Sequence, residues 1–229
     1  MNEPAHPPTA PLPAPEAIRR RRATRRFDPS RPLDDTLLVQ LLTLATHAPS
    51  AYNLQPWRFL VVRSEANRQR LRTAAYNQPK ITEAPAVVIV LGYHTPERSH
   101  LDVVVDDMTT RGVVSREGAA EFRGRLTSGL RRLPEAVRPL WVTRSTMLAA
   151  ATLMIAAESL GVASAPMEGF DADRVKLEFG IPEDHTVCCL VALGFAAEQK
   201  PFPGRLGLTE VCYAEHFGQP WTGGDRAHG

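Results

Sequence analysis

The segment from Thr143 to Leu160, TRSTMLAAATLMIAAESL, narrows the choice of fold more than any other part of this 229-residue chain. It reads as a helix ending at Gly161, a residue suited to the left-handed backbone that closes helices. Apolar residues occupy nearly every side of it, and a helix apolar all round must be buried all round. A domain this small surrounds such a helix over only part of its circumference. The remaining wall is therefore expected to meet a second subunit. With 43% hydrophobic residues, the chain can supply one domain with a substantial core.

The other elements follow from periodicity. Leu37, Leu38, Leu41, Leu42 and Ala45 recur at three- and four-residue spacing, which predicts an amphipathic helix with Asp34 as N-cap and Pro49 as its stop. WRFLVV (57–62), AVVIVLGY (86–93) and HTVCCLVALGFA (185–196) are short and almost wholly apolar, as strands buried on both faces are. Ser64 to Tyr76 is helix-compatible. DADRVKLEFGIP predicts a short helix capped by Asp171 and stopped by Gly180 and Pro182. Thr95 to Pro139 mixes charge with isolated apolar residues and reads as helices and loops. The order α, β, α, β, α, β with helical insertions is that of an α+β or three-layer α/β domain.

A net charge of +2, from 27 basic and 25 acidic residues, is too mild to imply a polyanion-binding surface. Cys188 and Cys189 are adjacent in an apolar run, make no C-x-x-C pair, and are expected to point to opposite faces of a strand. Residues 1–15, rich in proline and alanine, read as a disordered tail rather than a signal peptide, and 219–229 as a flexible one. With no run of about 18 consecutive apolar residues, a cytoplasmic protein without a membrane span is expected. His47, His94, His100, His185 and His216 fall in no metal-ligand spacing and read as surface or capping residues. Trp57 and Trp141 read as packing anchors.

Two segments carry chemistry. IRRRRATRRF holds six arginines between Arg19 and Arg26. Such a run suits a solvated helix face or a nucleic-acid arm, but guanidinium forks on a bent segment can also hold a phosphate and a polar ring edge together. APSAYNLQPW (48–57) is a turn between helix and strand, yet Ser50, Asn53 and Gln55 place short polar groups on a rigid loop, a common way to orient a ligand in an apolar pocket.

Together these segments resemble the nitroreductase family of flavoproteins, which open with R-R-S-x-R-x-F and continue with A-P-S-x-x-N-x-Q-P-W. NQPK (77–80) and SAPMEGF (164–170) extend the resemblance, which spans Glu16 to about Tyr213 apart from the variable 95–139. It implies a domain over 16–218 with a three-layer α/β/α fold, a central mixed or antiparallel sheet flanked by helices, in an intertwined homodimer that binds FMN. Carried over residue by residue, it places Arg21, Arg22, Ala23 and Arg25 around the FMN phosphate, ribityl chain and pyrimidine edge. Arg25 and Lys80 would face the N1 and O2 edge. Asn77 would hydrogen-bond the ribityl or pyrimidine side, while Pro49, Ser50, Ala51 and Asn53 would come from the partner. Pro166, Met167, Glu168 and Gly169 would run along the ring near N5 and O4, and Arg205 would close on the phosphate. The chain departs from the pattern at Ala23, where the family has serine, and at Pro203, where a basic residue is common.

The activity so implied is FMN-dependent electron transfer from NAD(P)H to a small acceptor, a nitroaromatic or quinone for instance. The flavin would carry the chemistry, with no catalytic side chain and no metal. The chain has no G-x-G-x-x-G after a strand, so NAD(P)H and acceptor would take turns at one site in a ping-pong scheme. Other readings are a flavoprotein with another reaction (dehalogenation, aldehyde or enoate reduction, heterocycle oxidation), a silent flavin sensor, or a nucleic-acid-binding module.

Overall fold

The apolar, β-branched runs form strands, as their composition dictates. A computed structural model of the protein describes residues 10–198 and 200–221. Its strands are β1 (Trp57–Val62), β2 (Ala86–Tyr93), β3 (Ala163–Met167) and β4 (His185–Gly194). Among the described residues they make one sheet in the order β1-β2-β4-β3, every neighbouring pair antiparallel. β3 lies outside the expected strands, because ASAPM contains a proline and no apolar run. It is a strand because β4 supplies partners from Ala163↔Gly194 to Met167↔Leu190, and an edge position tolerates proline.

Around the sheet lie α1 (Ala14–Arg20), α2 (Asp35–Ala45), α3 (Glu65–Ala74), α4 (Lys80–Glu83), α5 (Leu101–Thr110), α6 (Ala119–Arg131), α7 (Arg138–Ser159) and α8 (Ala172–Phe179). The caps are those the sequence announces. Asp34 Oδ1 accepts from the amides of Thr36 and Leu37, Ser64 Oγ from Asn67 and Asp171 Oδ1 from Arg174, and Gly180 ends α8 at φ 62°.

The sheet separates two cores. On one face Val87, Ile89, Leu190 and Ala165 pack with Leu71 of α3, Ile81 of α4 and Val175 of α8. On the other, Val88, Val90, Val191 and Leu193 pack with Leu41 of α2 and Leu153 of α7. The fold is thus the three-layer α+β arrangement, with β2 and β4 buried on both faces. A register shift in the β2–β4 pairing leaves Cys188 unpaired, a β-bulge. The bulge overturns the expectation of opposite faces for the two cysteines. Cys189 joins the α2/α7 core, and Cys188 Sγ lies 3.6 Å from Thr143 Oγ1 of α7, so both face the same way. Burial pushes the Cys189 thiol up to about 12.

α7 starts at Arg138 rather than Thr143 and packs on α1, α2 and all four strands. Its burial is one-sided. Leu140 and Leu148 are 56% and 47% exposed, on a stripe at helical spacing with Arg144 and Ala151. The segment Glu135–Ser159 is long and apolar enough, by length and composition, to cross a bilayer, which the count of consecutive apolar residues does not bring out. Its place against the sheet accounts for the apolarity of the buried side. Between β2 and α7, the expected helices and loops resolve into α5 and α6, whose small core also contains Leu54. Trp57 and Trp141 pack as anchors.

The expected tails are shorter. Leu12 N donates to Ser159 O, Ser159 Oγ donates to Leu12 O, and α1 starts at Ala14; residues 1–9 lie outside the described residues. At the other end Tyr213 pairs with Pro220, and Trp221 N donates to Cys212 O; 222–229 lie outside the described residues. The chain also divides into two compact units, Met1–Gln199 and Lys200–Gly229. The second contains a short helix, α9 (Leu208–Val211), and a Tyr213–Phe217 ring pair with centroids 4.6 Å apart.

Gly194 ends β4 where a Cβ would lie 2.5 Å from Pro85 Cδ and 3.1 Å from Phe27 Cδ1. A proline ring and a buried phenylalanine cannot retreat cheaply. Gly194→Ala is therefore expected to destabilise the protein by about 1–3 kcal/mol, the usual cost of overpacking. A urea midpoint equal to that of the unsubstituted protein would contradict this packing.

Candidate functional site

Three of the motifs meet at one edge of the sheet. Ala23 bridges Ser164 of β3, and Thr24 N donates to Ser164 O at 3.0 Å, which lays the arginine segment along the sheet edge. Glu83 of α4 takes Arg26 Nε on one oxygen at 2.8 Å and the Phe27 amide on the other at 3.1 Å, tying the same segment to the 77–83 turn. Gln78 Nε2 donates to Gly169 O at 2.7 Å and joins that turn to the end of β3. Residues 21–27, 77–83 and 164–169 thereby become neighbours. Glu83 carries no sequence signal for its role, and Gln78 stands unremarked inside the NQPK match.

Within this group Arg25 is near enough to Lys80 for its charge to act on the ammonium. Burial, and then the Arg25 guanidinium, hold the Lys80 ammonium below the ordinary lysine range. Among the described residues neither cation has an ion pair or hydrogen bond. Two neighbouring cations without a carboxylate are unfavourable unless an anion or polar acceptor joins them. Arg21 Nη1 is buried without a hydrogen-bond partner, as is Ser164 Oγ. These unsatisfied donors at one edge fit a phosphorylated group with a polar ring edge.

The remaining arginines are differently engaged. Arg22 Nη1 donates to the carbonyls of Arg19, Arg20 and Arg21 at 2.6–3.0 Å, capping α1. Arg19 pairs with Glu16, Arg20 with Glu158 at 4.0 Å and Arg26 with Glu83. Burial pushes the Glu158 carboxyl above its usual range against the opposing pull of Arg20, Arg21 and Arg22. Asn77 is exposed at φ 59° with its carbonyl accepting from Arg72 Nε at 3.3 Å. Pro166 is half-buried, Glu168 and Gly169 are exposed, and Met167 is buried in the core at 4% exposure, so only its backbone is presented. Arg205 lies in the second unit, where its Nη1 donates to Gly204 O and its guanidinium sits 5.1 Å from the Phe202 ring centre.

The loop 48–56 is elsewhere. It leads into β1, at the opposite edge of the sheet from β3, about 14 Å away at three strand spacings. Tyr52, Asn53 and Gln55 have φ of 54°, 56° and 47°. That conformation is uncommon outside glycine and asparagine and requires support from its surroundings. Ser50 Oγ accepts from Gln55 N at 3.0 Å, so this hydroxyl shapes the loop itself, and Ala51 N donates to Ser145 Oγ of α7 at 3.3 Å. Pro49 and Asn53 are exposed. One chain thus does not bring Pro49, Ser50, Ala51 and Asn53 to the group around Lys80.

Residues 18–195 match the Nitroreductase family. The chain belongs to that family. Among relatives of this nitroreductase-family chain, an NADH dehydrogenase of Thermus thermophilus is 34% identical over 200 residues, covering 87% of this chain and 95% of the relative. An oxygen-insensitive NAD(P)H nitroreductase of Salmonella typhimurium is 28% identical over 183 residues, 76% of this chain and 84% of the relative. The fold is shared with a structure from Exiguobacterium sibiricum described as a nitroreductase in complex with FMN, at a TM-score of 0.84 and 24% identity, over 90% of this chain and 99% of the other.

Proposed function

We propose that this protein is an FMN-dependent oxidoreductase, working as a homodimer, that takes electrons from NAD(P)H and delivers them to a small acceptor. The observation that carries the reading is Arg25 beside Lys80, two cations with no ion pair among the described residues, at the junction of the 21–27, 77–83 and 164–169 segments. The nicotinamide nucleotides and the FMN named for its relatives support it.

When bound, FMN supplies two-electron chemistry at N5. Arg25 and Lys80 would face the N1 and O2 edge, where fixed positive charge favours the anionic form of the reduced ring. Arg21 would turn its unpaired nitrogen to the phosphate, with Arg22 and Ala23 beside it. Asn77 would bond the ribityl or pyrimidine side, and the backbone of Pro166, Met167, Glu168 and Gly169 would border the ring. Pro49, Ser50, Ala51 and Asn53 would reach the same ring from the partner subunit, since one chain holds them at the far edge of the sheet. The exposed stripe Leu140–Leu148 on α7 offers apolar surface that such a dimer would cover. The ion pairs of Arg19, Arg20 and Arg26 argue against a free basic arm for nucleic acid.

The purified protein is expected to be yellow, to sediment as a dimer, and to oxidise NADH or NADPH anaerobically with a quinone or nitroaromatic acceptor. Reciprocal plots at several acceptor concentrations should be parallel. Converging lines would refute alternating use of one site, and colourless, monomeric protein that takes up no added FMN would overturn the proposal.

A further inference from the structure

The loop that carries Pro49, Ser50, Ala51 and Asn53 is held from outside chiefly by the segment 95–139. Leu54, at the loop's centre, is fully buried in the α5/α6 core among Leu101, Val105, Leu126 and Leu130. Its carbonyl lies 2.9 Å from His100 Nδ1, and His100 is the N-cap residue of α5. The other imidazole nitrogen, Nε2, is 2.8 Å from Arg58 Nη2. A guanidinium only donates, so Nε2 is the acceptor and Nδ1–H donates to Leu54 O. Arg58 belongs to β1, where its Nη1 donates to Trp57 O at 3.0 Å and its guanidinium lies 5.1 Å from the Tyr93 ring centre. One imidazole therefore joins the rigid sheet, the insertion and a loop with three residues at positive φ. Without that chain, the polar ties that oppose relaxation of Tyr52 and Gln55 toward easier angles reduce, among the described residues, to Ser145 and the loop's own turn bonds, beside the packing of Leu54.

We propose that His100 is a positioning residue for the cofactor loop, and that the insertion 95–139 sets the geometry of the flavin held by the partner subunit. This rests on the reading of 48–57 as a contact to the partner's FMN. It follows that substitutions in α5 and α6 act on the neighbouring subunit's cofactor. The insertion and the loop behave as one mechanical unit.

Asparagine places its side-chain amide near Nδ1 of a histidine and can donate to Leu54 O; glutamine places its amide near Nε2 and cannot. The test compares His100→Ala, His100→Gln and His100→Asn in the full-length protein. Amide hydrogen exchange is measured without cofactor, and FMN affinity is measured by quenching of flavin fluorescence. Exchange of the Asn53, Leu54 and Gln55 amides is expected to rise, and the FMN dissociation constant to increase, about tenfold in the alanine and glutamine variants. His100→Asn should restore both toward the original values. The β2 and β4 amides report whether each variant is folded, and if the alanine variant is not, the asparagine–glutamine pair decides.

Asn53→Ala separates this proposal from the reading beneath it. If Asn53→Ala weakens FMN binding while the His100 variants change neither exchange nor affinity, His100 has no positioning role. If both leave FMN affinity unchanged, the loop is not a cofactor contact and the proposal falls with that reading.

Discussion

Arg138→Ala is expected to destabilise the protein by about 3–5 kcal/mol, the cost of leaving one partner of a buried ion pair alone. Arg138 and Glu97 are 10% and 9% exposed, with Arg138 Nη1 at 2.8 Å from Glu97 Oε1. The same nitrogen donates to His94 O at 3.1 Å, and Nη2 donates to Leu130 O at 2.6 Å. This one guanidinium thus closes both ends of the insertion, the exit from β2 and the end of α6, onto the first turn of α7. Its loss strands a carboxylate whose other oxygen, Oε2, is already buried without a partner. For a chain of this length the midpoint of thermal unfolding should fall by roughly 6–20 °C. Arg138→Lys keeps the charge but not the fork and should lie in between. The double substitution Arg138→Met, Glu97→Leu should recover much of the loss, since an apolar pair needs no solvation. An alanine variant that melts with the unsubstituted protein would show that the pair does not hold the insertion.

Lys80→Met should have effects of opposite sign with and without cofactor. In the cofactor-free protein the substitution removes a partly buried cation from beside Arg25. The folded state holds that proton less tightly than the unfolded chain does, so its stability rises with pH toward the ordinary lysine value, and the neutral side chain escapes that penalty. The apoprotein should be no less stable than before. With FMN bound, one charge-assisted contact worth about 1.5–3 kcal/mol is lost, which makes the two-electron midpoint potential more negative by roughly 30–65 mV. A potential unchanged by Lys80→Met would remove Lys80 from the cofactor's charged edge. A large loss of apoprotein stability would instead make it an ordinary structural lysine.

What was legible in the chain is what depends on neighbours a few residues away. Asp34, Ser64, Asp171 and Gly180 act on amides and carbonyls within one turn, so their helices could be read directly. The runs at 57–62, 86–93 and 185–194 are apolar enough to be strands in any surroundings. The arginine segment, the polar loop, NQPK and SAPMEGF could be recognised because each is contiguous. Tertiary structure alone decided the rest. ASAPM is a strand because the edge of β4 offers hydrogen bonds to it, and Cys188 turns toward α7 because the pairing with β2 slips there. Arg26 and Phe27 meet Glu83 across more than fifty positions, and Leu54 and His100 meet across forty-six, separations over which no local pattern carries information. That the loop and the Arg25–Lys80 pair lie at opposite edges follows from strand order, which is set by long-range pairing and core packing. A sequence announces short-range hydrogen bonds and apolar periodicity; distant partners are chosen only when the whole chain closes on its core.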